Sequence, residues 1–202
     1  ALFNGGLPKS VYMNLIDAVH EFLPVIHRYM GFRAKKLGKE RIEMHDVYVP
    51  LYDLPYEEFD FNASVKLAKE SLLPLGNDYQ NEFQAGIDAG WCDIYENEGK
   101  TSGAYSFGCY DSMPYVLLNH TDTLNDVFTL IHEMGHSLHS LYTRRAQPYC
   151  YGGHSIFTAE VASTVNESLL MRYLLDNETD IEKRKYLLNH YLEEFRTTLI
   201  RQ

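Results

Sequence analysis

The chain has 202 residues, enough for one domain or a large lobe with a real core. Hydrophobic residues make up 45% and the formal net charge is −10. That excludes nucleic acid and anionic membrane as partners, because both demand clustered positive charge. No apolar run approaches the roughly 18–20 residues of a membrane span, and no basic and apolar leader opens the chain. Cys92, Cys109 and Cys150 are odd in number and lack metal spacing, so they read as free thiols of a reducing, cytoplasmic compartment.

In chain order, residues 8–37 read as helix. Val11, Leu15, Ile16, Val19, Phe22, Leu23, Ile26, Tyr29 and Met30 recur at helical spacing, with Pro24 as a kink or a new start. His20 and His27 share a face but have no carboxylate at ligand spacing, which makes them ordinary helix residues. Ile42 to Val49 mixes apolar and polar positions and ends at Pro50, so a short strand or extended segment is predicted. On such a strand His45 and Asp46 point to opposite faces and cannot share a site. Helix returns from Phe61 to Leu73, before Pro74, and again from Asp78 to Ala89, with Tyr79, Phe83 and Trp91 as core. Gly99–Gly108 and Met113–Asn119 predict a hairpin turning at Asp111 and Ser112.

The next helix carries the chemistry. Val127, Ile131, Met134, Leu138 and Leu141 form a helical stripe, and Thr123 with Asp126 resembles a capping box before it. On another face lies His132-Glu133-x-x-His136. Residues four apart stack one turn above each other, so both imidazoles can meet one zinc ion. Glu133 reaches the edge of that site and can take a proton from a metal-bound water. Chance can produce such a motif in a chain with nine histidines; the helix and its cap are what give it weight.

Catalytic zinc usually takes three protein ligands. After a break at Pro148 and Gly152-Gly153, Ser155 is a candidate N-cap for a returning helix whose first turns carry Glu160. Glu160 is assigned as the third ligand. Glu167, two turns on, either orients a ligand together with Ser163 or Thr164, or is a solvated helix glutamate. His154 either donates to substrate or is a plain loop histidine. The helix continues through Leu169, Leu170, Tyr173 and Leu174. Asp180 then caps a third helix with a stripe of Tyr186, Leu187, Tyr191, Phe195 and Leu199.

His132-Glu-x-Gly135-His136-x-x-His139, followed by Phe157-x-x-Glu160-x-x-Ser163-x-x-x-Glu167, resembles the thimet oligopeptidase and oligoendopeptidase F family of zinc peptidases. Glu133–His139 and Ala159–Thr164 are closest to the oligoendopeptidase F branch, and Asp93–Lys100 with Ser102–Tyr105 is similar to the stretch before that family's metal helix. The resemblance covers most of residues 90–170. It implies one zinc ion per chain on His132, His136 and Glu160, with Glu133 as base and His139 in a supporting or packing role. It implies hydrolysis of short oligopeptides.

The fold class expected is mainly α with a small β-sheet (α+β), the gluzincin-type catalytic core, as a single domain or lobe over 1–202. An extended peptide would add to the free sheet edge at Gly103, Ala104 and Tyr105; the alternative is a hairpin that only supports the metal helix. In the resembled family, oxyanion help comes from His and Tyr residues beyond the third helix, and a long N-terminal part walls the cleft. The chain starts at Ala1 and ends at Gln202 without these, so a piece of a longer oligopeptidase is expected, with His190 or Tyr191 as substitute donors or as packing. Two other readings stay open: a zinc-binding piece with little activity, and a helical interaction module in which the motif is accidental.

Overall fold

The computed structural model describes residues 6–52 and 57–200. The chain is mainly helical with one small sheet, and it packs as two compact units, 1–55 with 178–202 and 56–177.

Residues 57–177 hold four helices and the sheet: α2 (Phe61–Ser71), α3 (Asn77–Asp88), α4 (Leu124–Ala146) and α5 (Val161–Asn177), with β1 (Cys92–Asp93), β2 (Tyr105–Phe107) and β3 (Tyr115–Leu117). Helix α4 is the axis of this unit. It starts because Thr123 and Asp126 make a reciprocal capping box, with the Thr123 N–H 2.9 Å from Asp126 Oδ2. Hydrogen bonds from Thr123 and Thr121 outweigh burial and hold the Asp126 carboxyl below its ordinary value. The apolar stripe read from the sequence is the buried face: Val127, Ile131, Met134 and Leu138 are fully buried, together with Leu130. Each such side chain contributes about 1.5–3 kcal/mol of burial. Helix α5 packs along α4, and α2 packs against both. Phe83 and Trp91 are buried as expected, Trp91 resting where Gly86 has no side chain.

The sheet runs β1-β3-β2. β1 is parallel to β3, with Cys92 opposite Val116, and β2 is antiparallel to β3, with Ser106 opposite Val116. The hairpin is present, its strands shorter than the apolar run suggested. β2 is an edge, and it packs on α4. No described helix is long and apolar enough to cross a membrane, and the three cysteines are free thiols. Burial pushes the Cys92 thiol up to about 12, so it stays protonated and inert.

The other unit is built on α1 (Lys9–Lys36), continuous through Pro24, and α6 (Ile181–Phe195), capped as expected by Asp180, whose carboxylate accepts from the N–H groups of Glu182 and Lys183. The strand predicted over 42–49 is instead a 3₁₀ turn, Met44–Tyr48. Two side chains fold it. Asp46 closes a capping box with Glu43 and bonds Lys39. Arg33, 1% exposed, donates from Nη2 to the carbonyls of Asp46, Val47 and Val49. A strand would have pointed those carbonyls to either side, whereas one guanidinium gathers all three. The same turn brings His45 within 3.5 Å of Asp46, against the opposite faces expected. Arg33 also pairs with Glu193 at 2.8 Å.

Candidate metal centre

Helix α4 presents His132 and His136 on one side, their rings 4.7 Å apart. Helix α5 returns alongside and sets Glu160 against them. His132 Nε2 and His136 Nε2 are 3.0 Å apart, and Glu160 Oε2 is 3.3 Å from each. Three donors held tetrahedrally at about 2.0–2.1 Å from a zinc ion are about 3.3–3.4 Å from one another. The triangle therefore fits a small divalent cation. It is the one group of candidate metal-holding residues among the described residues.

The approach of the two helices depends on Gly135. A Cβ there would lie 2.8 Å from the Ser163 Cα and 3.1 Å from its nitrogen. The glycine inside the motif is thus a contact point between α4 and α5, not a flexible joint. Ser155 opens the 3₁₀ turn Ile156–Thr158 rather than the returning helix, which begins at Val161. Glu160 stands at that helix's N-terminal boundary, its carbonyl accepting the Thr164 N–H at 3.0 Å, and not within the first turns as expected. Ser163 Oγ donates to Glu160 Oε2 at 3.0 Å and fixes the carboxylate. Thr164 touches only backbone, its hydroxyl donating to the Glu160 carbonyl at 2.6 Å and reaching the Val161 carbonyl at 3.4 Å.

Glu167 is not free in solvent: its Oε1 lies 2.9 Å from His132 Nδ1. An Nδ1–H donated to Glu167 leaves the Nε2 lone pair aimed into the triangle. Burial would lower the His132 imidazole, but the hydrogen bond and charge of Glu167, with Glu133 and Glu160, hold it above its ordinary value. His136 lies below its ordinary value, chiefly through burial. Glu133 is 8% exposed and its carboxyl is raised, first by burial. His139 takes no part in the triangle; its ring stacks on His154 at 4.2 Å, so these two sequence candidates pin the 148–155 loop to α4.

The proposed peptide edge lands differently. The Gly103 carbonyl accepts from Asn119 Nδ2 at 2.8 Å, and Gly103 and Ala104 line a small cavity with Leu118, Asn125 and Thr129. Tyr105, on β2, is half exposed. The β2 residue whose main chain turns to Glu133 is Ser106.

Asn166 escaped the sequence reading. Buried on α5, its amide donates to the Ile131 carbonyl at 3.1 Å and to the Tyr79 hydroxyl at 2.8 Å. It locks the helices one residue before His132; its place on the inward face between Ser163 and Leu170 was the available signal.

The comparisons with known proteins fall in the same place. The chain is 46% identical over 202 residues to the oligopeptidase PepF of Bacillus subtilis, covering 100% of this chain and 30% of that protein. It is 48% identical to an oligoendopeptidase F homolog of Lactococcus lactis, covering 100% of this chain and 33% of that protein. A solved structure from Chlamydophila abortus superposes with a TM-score of 0.89 at 42% identity, over 99% of this chain and 33% of that one. The oligoendopeptidase F of Enterococcus faecium superposes with a TM-score of 0.65 at 33% identity, over 99% of this chain and 27% of that one. The chain spans about a third of the length of the curated relatives it matches. Residues 1–202 match peptidase family M3 throughout, and the chain belongs to that family.

Proposed function

We propose that this chain carries the metal-binding and proton-transfer part of a zinc-dependent oligopeptidase acting in the cytoplasm. The observation that carries the reading is the triangle of His132 Nε2, His136 Nε2 and Glu160 Oε2, with separations of 3.0, 3.3 and 3.3 Å and a buried carboxylate on the residue next to His132. His132, His136 and Glu160 would hold one zinc ion, which supplies an acidified water and a Lewis acid for a peptide carbonyl.

The remaining work belongs to the chain's own groups. Glu133 accepts the proton of the attacking water and passes it to the leaving amine. Burial raises its carboxyl, which brings its proton affinity closer to that of a group that both takes and returns a proton. Glu167 keeps His132 in the tautomer that offers Nε2 inward, and Ser163 keeps one Glu160 oxygen from swinging away. Substrate runs extended along the open side of β2, joined by main-chain hydrogen bonds, which suits a peptide of any side-chain sequence.

The test separates holding the metal from using it. Glu160→Gln loses the bound zinc; Glu133→Gln keeps one zinc per chain and loses roughly 10²–10⁴-fold in hydrolysis of a quenched fluorescent oligopeptide. An unsubstituted chain that holds zinc without hydrolysing that peptide supports the reading as a metal-binding part alone. A chain that holds no zinc overturns both.

A further inference from the structure

One side-chain bond ties β2 to α4. Ser106 Oγ and Ser137 Oγ are 2.8 Å apart, and Ser137 is completely buried. Ser137 follows Glu133 by one helical turn, so both face the same side of α4. On that side the Ser106 main chain approaches the Glu133 carboxylate. On β3, Val116 and Leu118 give their N–H groups to the carbonyls of Trp91 and Asp93 on the β1 side, so Tyr115 and Leu117 turn to β2, where they lie opposite Phe107 and Tyr105, while Ser106 lies opposite Val116. Successive residues of an antiparallel strand turn their N–H and C=O alternately toward the partner and away. Tyr105 and Phe107 therefore turn to β3, and Ser106 is the β2 residue whose main chain faces the open side.

We infer that the Ser106–Ser137 hydrogen bond is a positioning device: it fixes β2 against α4 so that one strand both aims the Glu133 carboxylate and presents its free edge to an oligopeptide. The inference rests on the peptidase reading above, and it shifts the edge from Gly103–Tyr105 to Ser106. The physical need is plain. A strand of three residues, paired on one side only, is held to the helix by this bond and, one residue past its end, by Arg144, which donates to the Gly108 carbonyl at 2.8 Å. The Glu133 carboxylate needs that distance kept, because a displacement on the order of 1 Å costs roughly a hundredfold in rate. Neither hydroxyl takes part in bond making. Ser137 acts only through Ser106, and Ser106 acts through its main chain.

The test is a double-mutant cycle on the zinc-loaded chain with Ser106→Ala, Ser137→Ala and both together, and with Ser106→Thr as the variant that keeps a hydroxyl. Three quantities are read: zinc per chain, hydrogen exchange of the Ser106 amide by NMR, and kcat and KM on the quenched oligopeptide. The expected result is full zinc content in every variant. In each alanine variant exchange is about tenfold faster, and kcat falls by roughly tenfold or more, a larger change than in KM. The double variant is no worse than either single one, and Ser106→Thr behaves as the parent. Unchanged exchange, additive losses in the double variant, or loss of zinc from the alanine variants overturns the inference. If the parent binds zinc but hydrolyses nothing, the chain stands as a metal-binding part alone, while exchange and its non-additivity still decide the clasp.

Discussion

Glu160 and Glu167 are both glutamates of the returning chain, seven residues apart, yet they meet different atoms of the same imidazole. Glu160 Oε2 is 3.3 Å from His132 Nε2, and Glu167 Oε1 is 2.9 Å from His132 Nδ1. That division predicts different losses. Glu167→Gln leaves all three candidate ligands in place but removes the charge that steadies the ring, so zinc stays bound with an affinity lower by about 10–100-fold. Competition with a chelator of known affinity measures this, and an unchanged affinity would return Glu167 to the role of a surface glutamate. At this scale the sequence was informative wherever the helix period sets the geometry. His132 and His136 share a face whatever packs around them. Glu167 was placed on the returning helix by the same reasoning, whereas Glu160 stands just before that helix. Ser106, Ser137 and Asn166 were not legible, because their partners lie 31 residues away for Ser137 and 35 for Asn166, and no period links them.

At the scale of elements, the contact between α4 and α5 decides whether the centre exists. Gly135 lets the Ser163 backbone come closer than any side chain allows. In an isolated helix Gly→Ala stabilises by roughly 1 kcal/mol. Here the added methyl meets backbone at 2.8 Å, which cannot rotate aside. Overpacking of that kind costs about 1–3 kcal/mol, so the predicted sign reverses. Gly135→Ala therefore lowers the denaturation midpoint and weakens zinc binding, since Ser163 and Glu160 move together. A variant that is more stable and binds zinc normally would show that the helices have slack. The six helices were readable from periodicity and caps, Thr123 and Asp180 above all. The 42–49 segment was misread because its conformation is set by Arg33, a residue on another element, which draws three carbonyls to one point. Alternation of apolar and polar residues carries no trace of such a donor. The start of α5 was misjudged for a related reason: Ser155 has the chemistry of a cap but precedes a separate turn and caps no backbone N–H, its hydroxyl lying 3.4 Å from that of Thr158.

At the scale of the molecule, a metal held by the triangle would be a folding ligand for residues 57–177. Two of its candidate ligands are on α4 and the third is at the start of α5, so the triangle exists only while those helices are packed. The unfolded chain has the same three residues without the geometry, and a ligand that binds the folded state alone stabilises it by mass action. At a free zinc concentration about 100 times the dissociation constant the gain is about 2.7 kcal/mol. For a chain of this size that corresponds to roughly 5–10 °C in the midpoint. The chain carries its own reporter. Its one tryptophan, Trp91, is buried in this unit, its ring lying over Gly86. Thermal unfolding followed by Trp91 fluorescence should shift upward by that amount when zinc replaces a chelator. His136→Ala should abolish the shift, because two donors no longer enclose the ion. The net charge of −10 sharpens the control: a cation that merely screens repulsion among carboxylates would raise the midpoint of the His136→Ala chain as well. Magnesium supplies the comparison, since it prefers oxygen donors and octahedral geometry to two imidazoles and a carboxylate. A zinc-specific shift that vanishes with His136 identifies the triangle as the site. Equal shifts with magnesium, or a shift that survives the substitution, would place the stabilisation on the acidic surface instead.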